Sequence, residues 1–456
     1  MVSEHDLPDG LTGWVSDVAG GHITRLERHV ARREAWVVDV TRPDGSVVEG
    51  FLRLERQPLA DDPWSLAKET RIIAALATTT VPVPAVLGRS ESLSATLFER
   101  VAGRADLPSV EPAQQRAVME DFIGIVAELH RLDVDGLGLD GLPRPTTSAE
   151  CALGEVDLLL EHHREFLAGY RDPLLTFGLA WLRRNVPVGV ARVSLVQGDT
   201  GPVNFMFDGD HVTAVIDWEL GHLGDPMEDL GNICVREFWN PSGGLAGLFR
   251  RYEGLSGIPY DPAAARYYRV QQNIRGMIGI HGVTVNAHPR ESVAWYLAYR
   301  YVGDRATCEA LAEAMDVHVE RPEVPDDSAG DADVLADAAR WAIQHDVAPA
   351  VAVPFARSRL DDVDILVHCI DRRRRHGRAI AALELEDLAA LLGKRPPSLP
   401  EGLIQLDAAL RERIRDRRLH DDDVVRYLLR RAWRDEWLWA PAVALYPGRR
   451  WAPIDD

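Results

Sequence analysis

The stretch that most constrains the fold is residues 195–232, LVQGDTGPVNFMFDGDHVTAVIDWELGHLGDPMEDLGN. In it Asn204 is followed by the strand-like FMF, the polar turn DGDH and a return run, VTAVID, that ends at Asp217. A tight hairpin centred near Gly209–Asp210 would bring Asn204 and Asp217 roughly opposite each other on two strands. The loop that enters this hairpin can place Asp199 over the same end. The pattern therefore predicts that three oxygen-bearing side chains lie together at one end of the hairpin.

This set of side chains meets the needs of phosphoryl transfer from a nucleoside triphosphate. Mg²⁺ is a hard ion that takes oxygen ligands, and Asn204 and Asp217 would supply two of them. A separate carboxylate, Asp199, would orient the acceptor hydroxyl and take its proton. Asp-x-x-x-x-Asn followed by a further Asp is the spacing of a kinase catalytic loop and metal-binding segment. The alternative is a structural hairpin whose polar residues only form turns and caps.

The first hundred residues predict an antiparallel sheet with one inserted helix. HITRLERHV, AWVVDVTR, SVVEGFLRLE and ATLFERVAG are strand-like, and the first three are separated by short polar or turn segments. DDPWSLAKETRIIAALATTT has helical spacing, with Leu66, Ile72 and Leu76 on one side. From about Glu111 the period becomes helical, as in EPAQQRAVMEDFIGIVAELHRLDV.

The composition along the chain predicts where these regions end. Residues 320–334, ERPEVPDDSAGDADV, are rich in proline, acidic and small residues, which is typical of a linker. We therefore predict a sheet-containing lobe at residues 1–101 and a mainly helical lobe at residues 102–319. Beyond the linker, residues 335–456 predict a helical C-terminal domain.

These motifs together resemble the aminoglycoside phosphotransferase (APH/choline kinase-like) family of small-molecule kinases, over roughly Gly20 to Met315. The segment QGDTGPVNFMF…AVIDWELGHLGDPMEDLGN carries the resemblance, which is best with the branch of kinase domains fused to acyl-CoA dehydrogenases in some proteins. The resemblance implies an α+β, protein-kinase-like two-lobed fold: an N-lobe with an antiparallel sheet and one helix, then a mainly helical C-lobe. The C-terminal helical domain would be an addition to that fold.

The resemblance also assigns roles within the central segment. It implies that Asp199 is the catalytic aspartate and that Asn204 and Asp217 bind Mg²⁺. Asp229 would be a buried carboxylate that braces the catalytic loop. A plain helix cap is the alternative for Asp229, and the two roles can coexist.

In the N-terminal lobe the resemblance predicts a nucleotide-binding group. It places Arg53, in FLRLE, where kinases carry a strand lysine, and Glu69 where they carry its helical partner. A guanidinium fork can bind phosphate, although its reach differs from that of lysine. A surface arginine on an alternating strand is the other interpretation. Backbone groups from Glu99 to Val101 would face the adenine, from the order of segments along the chain alone.

Two features depart from the family pattern. The phosphate-covering loop should lie in RHVARREAW, which contains no glycine, and its Arg32 and Arg33 would either contact phosphate or face water. Gln197 stands where kinases carry a histidine that supports the catalytic loop by hydrogen bonding. Because glutamine also donates and accepts hydrogen bonds, this loop support can be kept.

The remaining motifs exclude several other classes. No G-x-S-x-G, Walker A or G-x-G-x-x-G motif is present, so hydrolase and dinucleotide-enzyme functions have little support. Histidines such as His130, at the end of a helix, show no metal-binding spacing. His281, in GMIGIHGV, lies where the lower lobe of this family contributes to the acceptor pocket, and helix packing is its other interpretation.

The net charge and the cysteine positions limit the partners and the cellular compartment that the sequence predicts. A formal net charge of −20 argues against nucleic-acid binding, because the phosphate backbone would be repelled. The four cysteines are far apart, which favours a reducing cytoplasm over a disulfide framework. The N-terminus lacks an apolar signal core, and no apolar run approaches the ~20 residues that span a bilayer. We expect a cytoplasmic protein without membrane partners.

The sequence thus predicts a phosphotransferase that uses Mg²⁺ and ATP, or GTP in its place, and phosphorylates the hydroxyl of a small molecule. Hydroxyacyl compounds and aminoglycoside-like substrates are the acceptors to consider. The alternative is a pseudokinase or a metabolite-binding scaffold without catalysis. The C-terminal helical domain would dock either on the kinase lobes or on a partner.

Overall fold

A computed structural model of the chain describes residues 7–29, 34–55, 63–289, 291–327, 334–412 and 419–454. The chain divides into two compact units. The first unit comprises Met1–Thr146 and Val190–Asp261, and the second comprises Thr147–Gly189 and Pro262–Asp456.

Among the described residues, the strands lie in the first unit and form one larger and two small sheets. In chain order they are β1 (His22–Arg28), β2 (Ala35–Thr41), β3 (Val47–Leu54), β4 (Val86–Ser90), β5 (Ala95–Glu99), β6 (Ser194–Val196), β7 (Phe205–Asp208), β8 (His211–Val215) and β9 (His222–Gly224). The larger sheet has the order β1-β2-β3-β5-β4 and is antiparallel throughout.

The helices belong to both units. In chain order they are α1 (Leu11–Ala19), α2 (Leu66–Leu76), α3 (Pro112–Arg131), α4 (Ser148–His162), α5 (Arg164–Gly169), α6 (Pro173–Arg184), α7 (Pro226–Trp239), α8 (Leu248–Ser256), α9 (Pro262–Val285), α10 (Val293–Ala314), α11 (Val334–Trp341), α12 (Pro354–Leu392), α13 (Leu399–Glu412), α14 (Asp421–Leu438) and α15 (Ala440–Val443).

The N-terminal sheet confirms the predicted antiparallel assembly with an inserted helix, α2. Its β2 strand alternates, so that Val38 and Val40 are buried on one face. The same core takes Leu11 and Val15 from α1. The prediction of only one helix in the first hundred residues is wrong, because α1 also forms there. Strand β4 was missed as well.

The rest of the first unit contains the predicted hairpin, β7–β8, together with a pair that the sequence analysis missed, β6–β9. These two strands have three residues each and are fully buried, so they show no alternation that would mark them as strands. The pairing Val196↔His222 fixes the two ends of the segment that contains the hairpin.

The second unit, as far as it is described, is helical. Helix α6 begins at Pro173, where Asp172 caps the helix by accepting from the Leu175 N–H. The C-terminal helices pack within this unit: Thr176 on α6 donates to Asp407 on α13 at 2.6 Å, and Arg305 on α10 pairs with Glu436 on α14 at 3.0 Å. The predicted boundaries at residues 101, 319 and 334 stay predictions.

Arg32 and Arg33, in the predicted phosphate-covering loop, lie outside the described residues. Among the helices that the structure does describe, none is both long and apolar enough to cross a membrane.

Candidate active site

The β7–β8 hairpin forms as the sequence predicts, with Phe205 paired to Val215 and Asp208 to His211. The backbone N–H of Ile216 donates to the carbonyl of Asn204 at 2.9 Å, just beyond the last strand pair. Asn204 and the Ile216–Asp217 segment therefore lie side by side at the open end of the hairpin, as predicted.

Asn204 also ties the hairpin to Asp199. Its side-chain amide donates to the carbonyl oxygen of Asp199 at 2.6 Å and to Asp199 Oδ2 at 2.7 Å. Both bonds use the amide nitrogen, so the amide oxygen of Asn204 points elsewhere and is available as a ligand. Hydrogen bonds thus join the two ends of the segment from Asp199 to Asn204, whose spacing suggested a catalytic loop.

Asp217 occupies the position that follows the returning strand. Its backbone is in the left-handed region, with φ 61° and ψ 62°, which aspartate tolerates better than most residues. Burial raises the pKa of Asp199, the charge of Arg236 opposes this rise, and the charge of Asp217 adds to it.

Gln197 is buried, and both the oxygen and the nitrogen of its side-chain amide form hydrogen bonds within the site. Its oxygen accepts from the Asp199 N–H at 2.8 Å, and the Thr200 hydroxyl, which donates to Asp229, lies 3.3 Å from that oxygen. Its nitrogen donates to the carbonyl of Asp217 at 2.8 Å and to that of Ile216 at 3.1 Å. Glutamine at this position therefore joins the loop of Asp199 to the segment of Asp217.

Asp229 lies in the first turn of α7 and is fully buried. It accepts from the Gln197 N–H at 2.9 Å, from the Gly198 N–H at 3.0 Å and from the Thr200 hydroxyl. Nε2 of His130, at the end of α3, lies 3.0 Å from Asp229 Oδ2, the oxygen that also accepts from the Gln197 N–H. Burial alone would raise the pKa of Asp229, but the hydrogen bonds from His130, Thr200 and Gln197 hold it below its usual value. The helix N-terminus also favours a negative charge here.

Gly198 shows how tightly this loop is packed. Its φ of 79° suits glycine, and a Cβ there would lie 2.5 Å from the carbonyl oxygen of Leu220. Only glycine can therefore join Gln197 to Asp199 along this path.

In the N-terminal sheet, Arg53 on β3 and Glu69 on α2 form the predicted pair, with 2.6 Å between Nη1 and Oε1. Glu69 is buried. Ser65 caps α2 by accepting from the Lys68 N–H, which fixes the turn that carries Glu69. Arg53 is thus not an unpaired surface arginine.

The segment predicted to face the adenine follows β5. The N–H groups of Glu99 and Arg100 are used in the sheet, donating to the carbonyls of Ala85 and Glu49. The N–H of Val101 has no partner among the described residues. Of the residues predicted there, Val101 therefore keeps a donor for a ligand.

The donor set fits a metal that is shared with a nucleotide. Across the described ranges, no group of three or more His, Cys, Asp or Glu side chains could hold a metal ion by itself. An amide oxygen from Asn204 and a carboxylate from Asp217 match Mg²⁺, which takes few protein ligands and completes its shell with phosphate and water.

Sequence reasoning missed three residues of this site: His130, Thr200 and Arg236. Arg236 forms an ion pair with Asp199 Oδ2 from α7. It lies seven residues after Asp229, which places both side chains on one helix face, so helical spacing was the signal that could have found it.

The antiparallel N-terminal sheet and the helices that follow it give a kinase-like α+β fold. The family model described as "Phosphotransferase enzyme family" (APH) matches residues 23–268, more than half of the chain. The chain belongs to this family.

Three relatives illustrate the similarity. Acyl-CoA dehydrogenase family member 11 of Rattus norvegicus is 31% identical over 188 residues, which cover 39% of this chain and 24% of that protein. Hygromycin-B 4-O-kinase of Escherichia coli is 27% identical over 197 residues, 38% of this chain and 52% of the enzyme. A solved structure from Ralstonia eutropha, assigned as an aminoglycoside phosphotransferase, has a TM-score of 0.52 at 21% identity and covers 66% of this chain and 95% of that one. The similarity to this solved structure supports the kinase-like α+β fold of the chain.

The first curated relatives are much longer than the matched region. The matched part of this chain spans about a quarter of their length.

Proposed function

We propose that this protein transfers the γ-phosphoryl group of ATP, or of GTP, to a hydroxyl of a small molecule. The observation that carries the proposal is the hydrogen-bonded convergence of Asp199, Asn204 and the Asp217 segment at the end of one hairpin. A hairpin with only a structural role would not need the partly exposed carboxylate of Asp199 to be held by both Asn204 and Arg236.

In the proposed mechanism each residue has one task. Asp199 orients the acceptor hydroxyl and takes its proton as the new O–P bond forms. Asn204 and Asp217 would hold Mg²⁺, which, when bound, supplies charge neutralisation at the transferred phosphoryl group. Arg53, held by Glu69, binds the phosphates of the donor. Val101 offers its backbone N–H to the base.

Two acceptor classes follow from the relatives. Several curated relatives are acyl-CoA dehydrogenase family members, which favours hydroxyacyl compounds, and another is a hygromycin-B kinase, which favours aminoglycosides. Both classes belong in a test library.

The experiment is an incubation of the protein with Mg-ATP and a pooled library of hydroxylated metabolites and aminoglycosides, followed by mass spectrometry. We expect one acceptor class to gain the mass of a phosphoryl group with the wild type and not with Asp199→Ala. Asp210→Ala, at the exposed turn of the same hairpin, is the matched control and should remain active. A wild-type protein that binds Mg-ATP in a thermal shift but modifies no acceptor would instead be a pseudokinase.

A further inference from the structure

Arg236 is the basic side chain that contacts Asp199. It lies on α7, and its guanidinium forms an ion pair with Asp199 Oδ2. The Arg236 side chain is 20% exposed and that of Asp199 is 29% exposed, whereas Asp229 on the same helix is fully buried. The Arg236–Asp199 pair is therefore open to a ligand, and the Asp229 brace is not.

The contacts distinguish the two oxygens of Asp199. Asn204 donates to Oδ2 at 2.7 Å, and Arg236 donates to the same oxygen. Among the described residues, Oδ1 receives no hydrogen bond. Since a carboxylate accepts on both oxygens, Oδ1 is the oxygen with free capacity for a proton.

The position of Arg236 is defined by packing as well as by charge. A Cβ at Gly201 would lie 2.8 Å from Cβ and 2.9 Å from Cγ of Arg236, so the aliphatic stem of the arginine lies directly against the loop. Gly201 also has a φ of 137°, which favours glycine. The loop thus leaves room for the arginine stem at the point where the guanidinium reaches Asp199.

The loop itself has no positively charged side chain that could form an ion pair with Asp199. Between Asp199 and Asn204 the sequence is Thr-Gly-Pro-Val. The cation that contacts Asp199 is therefore delivered from α7.

We propose that Arg236 is a positioning residue that, together with Asn204, holds Oδ2 of Asp199 so that Oδ1 faces the acceptor hydroxyl. This inference rests on the proposed function. In the step it describes, the acceptor O–H bond breaks and its proton passes to Oδ1. The acceptor oxygen forms a bond to the γ-phosphorus, the bond from that phosphorus to the bridging oxygen breaks, and the nucleoside diphosphate leaves with that electron pair.

The test compares Arg236→Ala, Arg236→Lys and the exposed control Arg250→Ala. The assay is ADP release from Mg-ATP in the presence of the pooled hydroxyl compounds, at saturating and subsaturating ATP. We expect Arg236→Ala to lower the maximal rate about 100-fold, the scale at which general-base catalysis contributes, while the KM for ATP changes less than about threefold. Arg236→Lys should recover part of the rate, and millimolar guanidinium should partly rescue Arg236→Ala. Arg250→Ala should match the wild type.

The outcomes separate the inference from the proposed function. If Arg236→Ala keeps the wild-type rate while Asp199→Ala is inactive, the positioning role is wrong and the proposed function stands. If Arg236→Ala loses its thermal shift with Mg-ADP and guanidinium gives no rescue, the arginine is only structural and the inference fails. If the wild type itself transfers no phosphoryl group, the proposed function fails and the inference falls with it.

Discussion

The two units of this protein each contain a tyrosine–histidine–aspartate triad around a buried histidine, with nearly the same distances. In the first unit, His130 contacts the Tyr252 hydroxyl at 2.8 Å and Asp229 at 3.0 Å. In the second, His281 contacts the Tyr170 hydroxyl at 2.8 Å and Asp304 at 2.7 Å. Both histidine side chains are fully buried.

The triads differ in what the aspartate does with its remaining hydrogen-bonding capacity. Asp229 accepts two backbone N–H groups and a hydroxyl from the loop that carries Asp199. Asp304 instead lies beside Arg300, at 3.8 Å from its Nε. The same three residue types thus brace a loop in one unit and join helices in the other. Residue type alone does not decide function, whereas the partners of the aspartate do.

Substitution of the two aspartates gives the largest expected contrast. Asp229→Asn places an amide among groups that donate, and breaking such a buried network should lower the free energy of unfolding by about 3–5 kcal/mol. The substitution should also displace the loop that carries Asp199. We therefore expect the rate of phosphoryl transfer to fall by about 100-fold. Urea unfolding and ADP release measure the two effects.

The matched variant is Asp304→Asn. It should lower the free energy of unfolding by about 1–3 kcal/mol, the scale of an unsatisfied buried group, and leave the transfer rate of the folded protein unchanged. Equal losses of rate in the two variants would show that the triads are not functionally distinct.

Removal of the histidines should show the same contrast at a smaller scale. His130→Ala leaves Asp229 with its three loop donors, so we expect a rate loss of about tenfold and a loss of unfolding free energy of about 1–3 kcal/mol. His281→Ala should cost similar stability without the rate loss. A larger rate loss for His281→Ala would instead support its placement in an acceptor pocket.

The smallest expected effect is a pH dependence of stability that arises from Asp435 in the second unit. Burial raises the pKa of Asp435 to about 7, Arg431 opposes this rise, Glu384 and Asp304 add to it, and Arg300 also opposes it. Between the ordinary value of 3.8 and about 7, the folded chain therefore binds more protons than the unfolded chain. Stability contributed by this carboxyl is present at the acid end of that window and is lost as pH rises.

Asp435→Asn should therefore raise the melting temperature at pH 8 relative to the wild type, by about 2–4 °C, and the gain should vanish near pH 4. The exposed Asp422→Asn, on the same helix, should show no such pH dependence. Thermal unfolding over pH 4–8 is the measurement, and parallel wild-type and Asp435→Asn profiles would refute the assignment.

How far the sequence predicts the structure depends on how local each interaction is. The hairpin, with Asn204 and Asp217 at its end, could be predicted because a short turn and a fixed spacing determine it. The Arg53–Glu69 pair could be predicted from family resemblance and is present in the structure.

Other features could not be predicted because they depend on distant partners. The three-residue strands β6 and β9 are too short for a pattern, and only their pairing across the hairpin defines them. The triads require residues separated by more than a hundred positions in the first unit, such as His130 and Tyr252. Helical spacing places Arg236 on the same face of α7 as Asp229, but its ion pair with Asp199 depends on how the loop packs against α7.

The central claim is that Asp199, held in the loop of residues 197–204, takes the proton of an acceptor hydroxyl during phosphoryl transfer. The most direct test is the rate of phosphorylated product formation, by mass spectrometry, for an acceptor identified in the pooled library. We predict that Asp199→Asn abolishes product formation, because an amide cannot take the proton, while Mg-ADP still raises its melting temperature and Asp210→Asn forms product at the wild-type rate. Product formation by Asp199→Asn at a rate near that of the wild type would contradict the account.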